Sequence, residues 1–196
     1  AFLAVLGCVI GGITVTGLNP DSQQGDKVIL DILKRCGGKF KPVEGGLHFD
    51  RSLLKATEID LADCPDLGPI LFTLGCFCSG ETVIRNAGRL RLKESDRIEA
   101  MQTELRKMGA RIEVDGDTVH IQGVALHAPN APLSGHNDHR IVMALAVAAI
   151  ASGLPALLCG AEAVDKSWPA FWSVLRGLGA KVELNTDKQE EFDIKA

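Results

Sequence analysis

Residues 70–84 read ILFTLGCFCSGETVI, an apolar run that breaks at Gly80 and continues as a short extended stretch. Two further segments have the same design, FLAVLGCVIGGITVT at residues 2–16 and VMALAVAAIASGLPALL at residues 142–158. Their break glycines, Gly12, Gly80 and Gly153, are 68 and 73 residues apart. A recurring spacing of this size is the sequence signature of a repeated supersecondary unit. The pattern therefore predicts three copies of one unit.

A second pattern recurs in phase with the first. The runs CGGKF (36–40), MGARI (108–112) and LGAKV (178–182) match one another. Counted from Gly38, Gly109 and Gly179, the steps are 71 and 70 residues. Two independent markers at one period predict a triplicated unit of about 70 residues.

The middle copy predicts the element order strand, helix, strand, helix and strand pair, or βαβαββ. Its predicted elements are strands near 58–61 and 80–84, helices over 66–79 and 94–108, and a hairpin of 111–114 with 118–122. The second helix carries one apolar stripe, and the hairpin alternates around Asp115-Gly116-Asp117. The predicted units span about 1–50, 55–122 and 123–185, followed by a polar tail at 186–196. Because the first unit has no room for its opening strand, we expect the chain to be a piece of a longer protein.

Composition excludes several classes of protein. Lys and Arg total 21 against 25 Asp and Glu, so the formal net charge is −4, which disfavours broad nucleic-acid binding. The longest apolar run, 141–151, has 11 residues and is too short to cross a membrane. The cysteines are too scattered for a disulfide framework, and we expect buried free thiols in a reducing cytoplasm. The cysteines within or beside apolar or small-residue stretches are Cys8, Cys36, Cys76, Cys78 and Cys159.

Charged residues precede the predicted helices at matched positions of the repeat. The segments are 63–66 (DCPD), 93–97 (KESDR), 137–140 (NDHR) and 165–169 (DKSWP). If the units pack around a pseudo-threefold axis, these helix starts share one end of the domain. Free backbone N–H groups and the positive end of each helix dipole favour an anionic ligand there. Lysine and arginine side chains in the same segments add full positive charge.

Plainer interpretations exist for each of these residues taken singly. Asp66 and Ser167 fit helix N-caps, and Arg97 and Arg140 fit surface ion pairs. His136 and His139 are potential metal ligands, but no further ligands stand at a suitable spacing, so no metal site is predicted.

The run 91–97, RLKESDR, closely resembles the RxKE[ST]DR signature of the 5-enolpyruvylshikimate-3-phosphate (EPSP) synthase family. Three other segments resemble motifs of that family in the same order along the chain. They are CPD at 64–66 (the catalytic aspartate), NDHR at 137–140 (a second arginine motif) and DKSWP at 165–169 (the C-terminal lysine). The resemblance extends from about residue 1 to residue 185.

This resemblance implies a mixed α/β (α+β) fold, an inverse α/β-barrel-like domain of three βαβαββ units with helices inside and sheets outside. The family has two such domains with the active site between them, and this chain is similar to the C-terminal one, with the N-terminal domain as its missing partner. The implied reaction transfers the enolpyruvyl group of phosphoenolpyruvate to the 5-hydroxyl of shikimate 3-phosphate and releases phosphate. The implied reaction needs no metal and no organic cofactor. The charge balance and the short apolar runs predict no nucleic-acid or membrane partner, and the cysteine usage predicts a cytoplasmic location.

The resemblance also implies roles for individual residues. Asp66 would contact shikimate 3-phosphate and act as the base, and Lys93 would bind the same substrate. Glu94 would act as the acid/base partner at the methylene carbon. The implied phosphoenolpyruvate ligands, which would also meet the competing herbicide glyphosate, are Arg97, Arg140 and Lys166. Asp138 and His139 would line the site.

The sequence departs from the family pattern at Arg89, where some members have an asparagine that touches the shikimate ring, so that contact is not carried over. The residues of the family's N-terminal domain have no counterpart here, and we expect the chain alone to be inactive. Two alternatives stay open: a non-catalytic binding or structural domain, and a UDP-N-acetylglucosamine enolpyruvyl transferase, which lacks the KESDR run.

Overall fold

The computed structural model describes residues 1–19, 22–185 and 191–195. The helices of this part of the chain are α1 (Phe2–Ile10), α2 (Ile29–Arg35), α3 (Gly68–Phe77), α4 (Arg97–Lys107), α5 (His139–Ser152) and α6 (Phe171–Gly177). Its strands are β1 (Ile13–Thr16), β2 (Lys39–Val43), β3 (Gly46–Asp50), β4 (Glu58–Asp60), β5 (Glu81–Arg85), β6 (Arg111–Asp115), β7 (Thr118–Gln122), β8 (Leu133–Ser134), β9 (Ala156–Cys159), β10 (Lys181–Asn185) and β11 (Glu191–Lys195). Short 3₁₀ helices cover Gly25–Val28, Pro65–Leu67, Ala87–Leu92 and Ala161–Lys166.

The strands form three sheets of related topology. In one, β4 pairs in parallel with β5, and β7 lies antiparallel between β5 and β6. In the second, β8 is parallel to β9, and β11 lies antiparallel between β9 and β10. The third sheet contains the N-terminal strands in the order β1-β3-β2, and both of its strand pairs are antiparallel. The predicted mixed α/β fold class is confirmed.

Helices α1, α3 and α5 contact one another and form the centre of the core. Helices α3 and α5 are apolar around most of their circumference, as expected of helices that are buried on all sides. The hydroxyl of Thr73 on α3 is fully buried and donates a 3.0 Å hydrogen bond to the carbonyl oxygen of Ala144 on α5. This bond satisfies a polar group inside the core and joins the two helices that begin at the candidate site.

The helices begin later than the sequence predicted. The helix predicted over 94–108 begins at Arg97, because the Asp96 side chain accepts hydrogen bonds from the backbone N–H groups of Ile98 and Glu99 and so caps the helix there. The helix predicted over 66–79 is α3, which follows a 3₁₀ turn containing Asp66. Lys166 does not start a helix, since it ends the 3₁₀ helix Ala161–Lys166 and α6 begins five residues after it.

The predicted polar tail is wrong for part of its length. Residues 191–195 form β11, which pairs with both β10 and β9. The alternation of Glu191-Phe192-Asp193-Ile194-Lys195 is the signal that the prediction missed, and Ile194 is buried. The rest of the predicted tail, 186–190 and 196, lies outside the described residues.

The cysteines agree with most of the expectation of buried thiols. Cys8, Cys36, Cys76 and Cys78 are buried and free, whereas Cys159 is partly exposed. Among the described helices, none has both the length and the apolar character that crossing a membrane requires.

We expect Leu71→Ala on α3 to lower the free energy of unfolding by about 2–5 kcal/mol, because it leaves a cavity at a fully buried position between packed helices. The matched control is Leu53→Ala, the same chemical change at a side chain that is 91% exposed. Urea denaturation followed by circular dichroism measures both. Equal effects for the two variants would contradict the assigned core.

Candidate active site

An ion pair between Arg97 and Asp138 lies at the centre of the site. Arg97 is the first residue of α4, and Asp138 immediately precedes α5. The guanidinium donates from Nε to Asp138 Oδ2 at 2.8 Å and from Nη2 to Oδ1 at 3.1 Å. Both side chains are almost completely buried, at 3% and 0% exposure. The bidentate geometry fixes the start of α4 against the start of α5.

Asp138 also organises the backbone around it. Its Oδ1 accepts a 2.9 Å hydrogen bond from the N–H of Arg140 and so caps α5, while Oδ2 accepts one from the Ser95 hydroxyl at 3.0 Å. Burial alone would raise the pKa of Asp138. The hydrogen bonds and charge of Arg97, with the bonds from Arg140 N–H and Ser95, outweigh it and hold that pKa below its usual value. Asp138 is therefore ionised at neutral pH.

The Asp66 carboxylate forms ion pairs with three cations from different parts of the chain. Its Oδ1 lies 3.0 Å from Lys93 Nζ and 3.1 Å from Arg97 Nη1, and its Oδ2 lies 3.5 Å from Arg140 Nη2. Partial burial acts to raise the pKa of Asp66, but the Lys93 hydrogen bond and the charges of Arg140, Lys93 and Arg97 lower it overall. The carboxylate is half-exposed, so ligands can reach it.

Arg140 projects from the first turn of α5 and links two more segments of the chain. Its Nη1 donates a 2.9 Å hydrogen bond to the backbone carbonyl of Asp66 and lies 3.5 Å from Asp26 Oδ2. Asp26 lies in the 3₁₀ helix that precedes α2. Asp26 was not among the predicted site residues, although it lies shortly before α2, as the charged residues 93–96 lie before α4.

Glu94 is the centre of a second group of contacts beside Asp138. The Glu94 carboxylate lies 3.2 Å from His139 Nδ1 and 3.7 Å from Lys166 Nζ. Lys166 Nζ also donates to the backbone carbonyl of Asn137 at 2.6 Å and to its side-chain oxygen at 2.9 Å. Asn137, which the sequence analysis did not propose as a site residue, thus holds the ammonium group at the edge of the cluster.

The structure therefore brings all the predicted site residues together, in two adjacent groups of contacts, one around Asp66 and Asp138 and the other around Glu94. These residues are Asp66, Lys93, Glu94, Arg97, Asp138, His139, Arg140 and Lys166. Arg89 points elsewhere, since its Nη1 donates to the carbonyl of Ala62 at 3.2 Å.

The cluster is better suited to an anion than to a metal ion. Glu94, Asp138 and His139 bring three potential ligand atoms within 4.8 Å of one another. However, both carboxylate oxygens of Asp138 already accept hydrogen bonds from Arg97. The adjacent charges of Arg97 and Lys166 would repel a cation. By contrast, the same charges, together with the N-terminal ends of α4 and α5, favour carboxylate or phosphate groups.

Comparison with protein families matches residues 1–175 to the family described as EPSP synthase (3-phosphoshikimate 1-carboxyvinyltransferase). Relatives named 3-phosphoshikimate 1-carboxyvinyltransferase include those of Clostridium acetobutylicum, 43% identical over 182 residues, and Clostridium kluyveri, 40% identical over 183 residues. Both alignments cover 93% of this chain but 42% and 43% of the respective relatives. The chain thus spans less than half the length of these curated relatives.

Solved structures give the same result. EPSP synthase from Acinetobacter baumannii superposes with a TM-score of 0.75 at 26% identity, covering 90% of this chain and 44% of that one. The enolpyruvyl transferase NikO from Streptomyces tendae has a TM-score of 0.74 at 22% identity, covering 92% and 42%. At that identity, the NikO likeness shows the fold alone.

We expect Asp138→Asn to lower the free energy of unfolding at neutral pH by about 3–5 kcal/mol, because it leaves the buried Arg97 charge without its carboxylate. The variant should also lose part of the wild-type acid sensitivity. Asp138 has a folded-state pKa below its unfolded value, so its stabilisation is present above the unfolded pKa and is lost as pH falls through the folded pKa. Urea denaturation at pH 7, 5, 4 and 3 measures both effects.

The matched control is Glu58→Gln, which breaks an arginine–carboxylate pair whose two side chains are exposed, and it should change stability little. If Asp138→Asn were no more destabilising than this control, Arg97 would not depend on Asp138 for its burial.

Proposed function

The chain belongs to the EPSP synthase family, and from that membership we propose that it supplies the C-terminal half of an active site for enolpyruvyl transfer. The proposed reaction moves the enolpyruvyl group of phosphoenolpyruvate to the 5-hydroxyl of shikimate 3-phosphate, in the shikimate pathway of aromatic amino-acid biosynthesis. The observation that carries this proposal is the cluster of four cations, Lys93, Arg97, Arg140 and Lys166, each of which is paired with Asp66, Asp138 or Glu94. Both substrates are polyanions, and clustered cations offset their mutual repulsion.

Phosphoenolpyruvate binding is assigned to Arg140, Lys166 and Arg97. Arg140 and Lys166 are the accessible members, with 22% and 44% of their side chains exposed. Arg97 is nearly buried, and its Nη1 reaches the cluster through Asp66. It therefore contributes a fixed positive charge at the base of the site. Lys93, which is partly exposed beside Asp66, is assigned to the phosphate of shikimate 3-phosphate.

Asp66 is the proposed base for the substrate hydroxyl, and its contacts suggest how it becomes one. Without ligand, Lys93, Arg140 and Arg97 lower its pKa and make it a weak base. Incoming phosphate and carboxylate groups compete for Lys93 and Arg140. Loss of these partners raises the pKa of Asp66 towards a value suited to accepting a proton. Substrate binding thus activates the base.

Glu94 is the proposed acid/base group at the methylene carbon of phosphoenolpyruvate. It lies between His139 and Lys166, at 3.2 Å and 3.7 Å. His139 can donate a hydrogen bond to the carboxylate when Nδ1 carries the proton, and Lys166 forms an ion pair with it and also binds phosphoenolpyruvate in this proposal. The acid/base group and the bound enol are therefore held side by side, which is the proximity that proton transfer to carbon requires.

The architecture enters the same proposal as a domain of three βαβαββ units whose partner is the N-terminal domain of the same enzyme, acting in the cytoplasm. Two of the three sheets have the same arrangement of four strands. The sheet β1-β3-β2 has three of those four strands in the same arrangement. The partner domain would supply the remaining substrate contacts and exclude water on closure.

We expect phosphoenolpyruvate to bind this chain and to shift the NMR signals of Arg140 and Lys166 selectively. Lys166→Met should raise the dissociation constant about tenfold, because it removes one charge-assisted hydrogen bond. Arg85→Met, which removes an exposed cation paired with Glu58 outside the cluster, is the control and should leave binding unchanged. Unshifted signals at saturating phosphoenolpyruvate would instead support a non-catalytic structural domain.

We also expect the chain alone to turn over negligibly, since half of the proposed substrate contacts are not on it. A coupled phosphate-release assay with both substrates measures this, with the Clostridium acetobutylicum relative as the positive control. Turnover by purified chain that disappears in Glu94→Gln would refute the expectation that the chain is only half of the site.

A further inference from the structure

Glu104 is a buried carboxylate that the proposed chemistry does not use. It lies on α4, seven residues after Arg97, and is 2% exposed. Burying a charge is costly unless it is paired and hydrogen-bonded. Its Oε2 accepts hydrogen bonds from the backbone N–H of Ser134 at 2.8 Å and from Lys107 Nζ at 2.6 Å. Its Oε1 lies 3.0 Å from His136 Nε2.

Two of these contacts are made to the segment 134–138, which connects β8 to α5 and carries part of the site. His136 and Asn137 both have positive φ angles, 50° and 53°, a left-handed conformation that costs free energy in residues other than glycine. The neighbouring Gly135 is tightly enclosed, since a Cβ there would lie 2.4 Å from a methyl carbon of Val142. The segment therefore has little freedom in the folded protein, and contacts outside it must repay its strain.

The strained segment is what orients Lys166. Both the backbone carbonyl and the side-chain oxygen of Asn137 accept hydrogen bonds from Lys166 Nζ. The left-handed conformation at Asn137 is the one in which these oxygens reach Lys166. The residue before Asn137, His136, is the one that Glu104 contacts.

We propose that Glu104 is a positioning residue that holds the segment 134–138 in its strained conformation and thereby places Lys166 for anion binding. Residues 97 and 104 are two helical turns apart, so they lie on the same side of α4. Helix α4 thus contacts the segment that leads into α5 at two places. Arg97 pairs with Asp138, and Glu104 contacts Ser134 and His136. This inference rests on the proposed function only for the identity of the anion.

The first test needs no ligand. Glu104→Ala should shift the NMR signals of the Asn137 side-chain amide and of the Lys166 ε-methylene group, while those of Ser95 and Arg97 stay near their wild-type positions. Glu104→Gln keeps an acceptor for the Ser134 N–H but loses the negative charge, so it should shift the same two signals in the same direction by a smaller amount. Glu99→Ala, at an exposed glutamate on the same helix, is the control and should leave the Asn137 and Lys166 signals in place.

The second test is a double-mutant cycle on phosphoenolpyruvate affinity. Glu104→Ala should raise the dissociation constant about fivefold in the wild-type background and should not raise it further in a Lys166→Met background. A purely structural role would weaken binding equally in both backgrounds.

Additive effects in the cycle, or unshifted Asn137 and Lys166 signals in Glu104→Ala, would overturn the proposal. If Glu104→Ala does not fold, Glu104→Gln is compared with Glu99→Gln, and a shift at Asn137 and Lys166 only in the former is required. If wild-type chain binds no phosphoenolpyruvate, the proposed function fails, and the ligand-free shifts alone decide the role of Glu104.

Discussion

A buried arginine needs a buried carboxylate, and the pair formed by Arg97 and Asp138 is the constraint on which this site depends. The two residues stand at the starts of α4 and α5, 41 positions apart in sequence. Because neither charge is tolerated alone in the interior, the two helix starts cannot separate without a large cost. The remaining charged groups are attached to this fixed point. Asp66 binds the free side of Arg97, Arg140 follows the cap made by Asp138, and Glu94 lies three residues before Arg97.

The charge balance of the cluster explains how a mildly acidic protein can present a surface for anions. Carboxylates hold each lysine and arginine in place before any ligand arrives, so the cations are positioned at little additional entropic cost when a ligand binds. When a substrate anion takes the place of Asp66 beside Lys93 or Arg140, that cation binds the substrate. The Asp66 carboxylate loses a positively charged neighbour and becomes a stronger base. The same contacts therefore account for binding and for proton transfer in the proposed reaction.

The sequence predicted those features that are local or periodic. The repeat spacing and the charged segments at matched offsets indicated the α/β class and the residues that meet at one end of the domain. What it could not provide was pairing, because contacts such as Glu104 with Ser134 join residues 30 positions apart. The prediction placed the start of α4 too early because Glu94 and Ser95 fit a helix by composition. In the structure, the Asp96 side chain caps the helix, so that it begins at Arg97. Strand β11 was missed because its polar residues outweighed the alternation of Phe192 and Ile194.

The coupling between Arg97 and Asp138 tests the central claim most directly. A double-mutant cycle with Arg97→Met, Asp138→Leu and the double variant, followed by urea denaturation at pH 7, measures it. Each single variant should lose about 3–5 kcal/mol, while the double variant, in which no unpaired charge is left, should be more stable than the sum of the single effects by at least about 2 kcal/mol. Additive losses would show that the two side chains are stabilised independently and would contradict their role as the fixed point of the site.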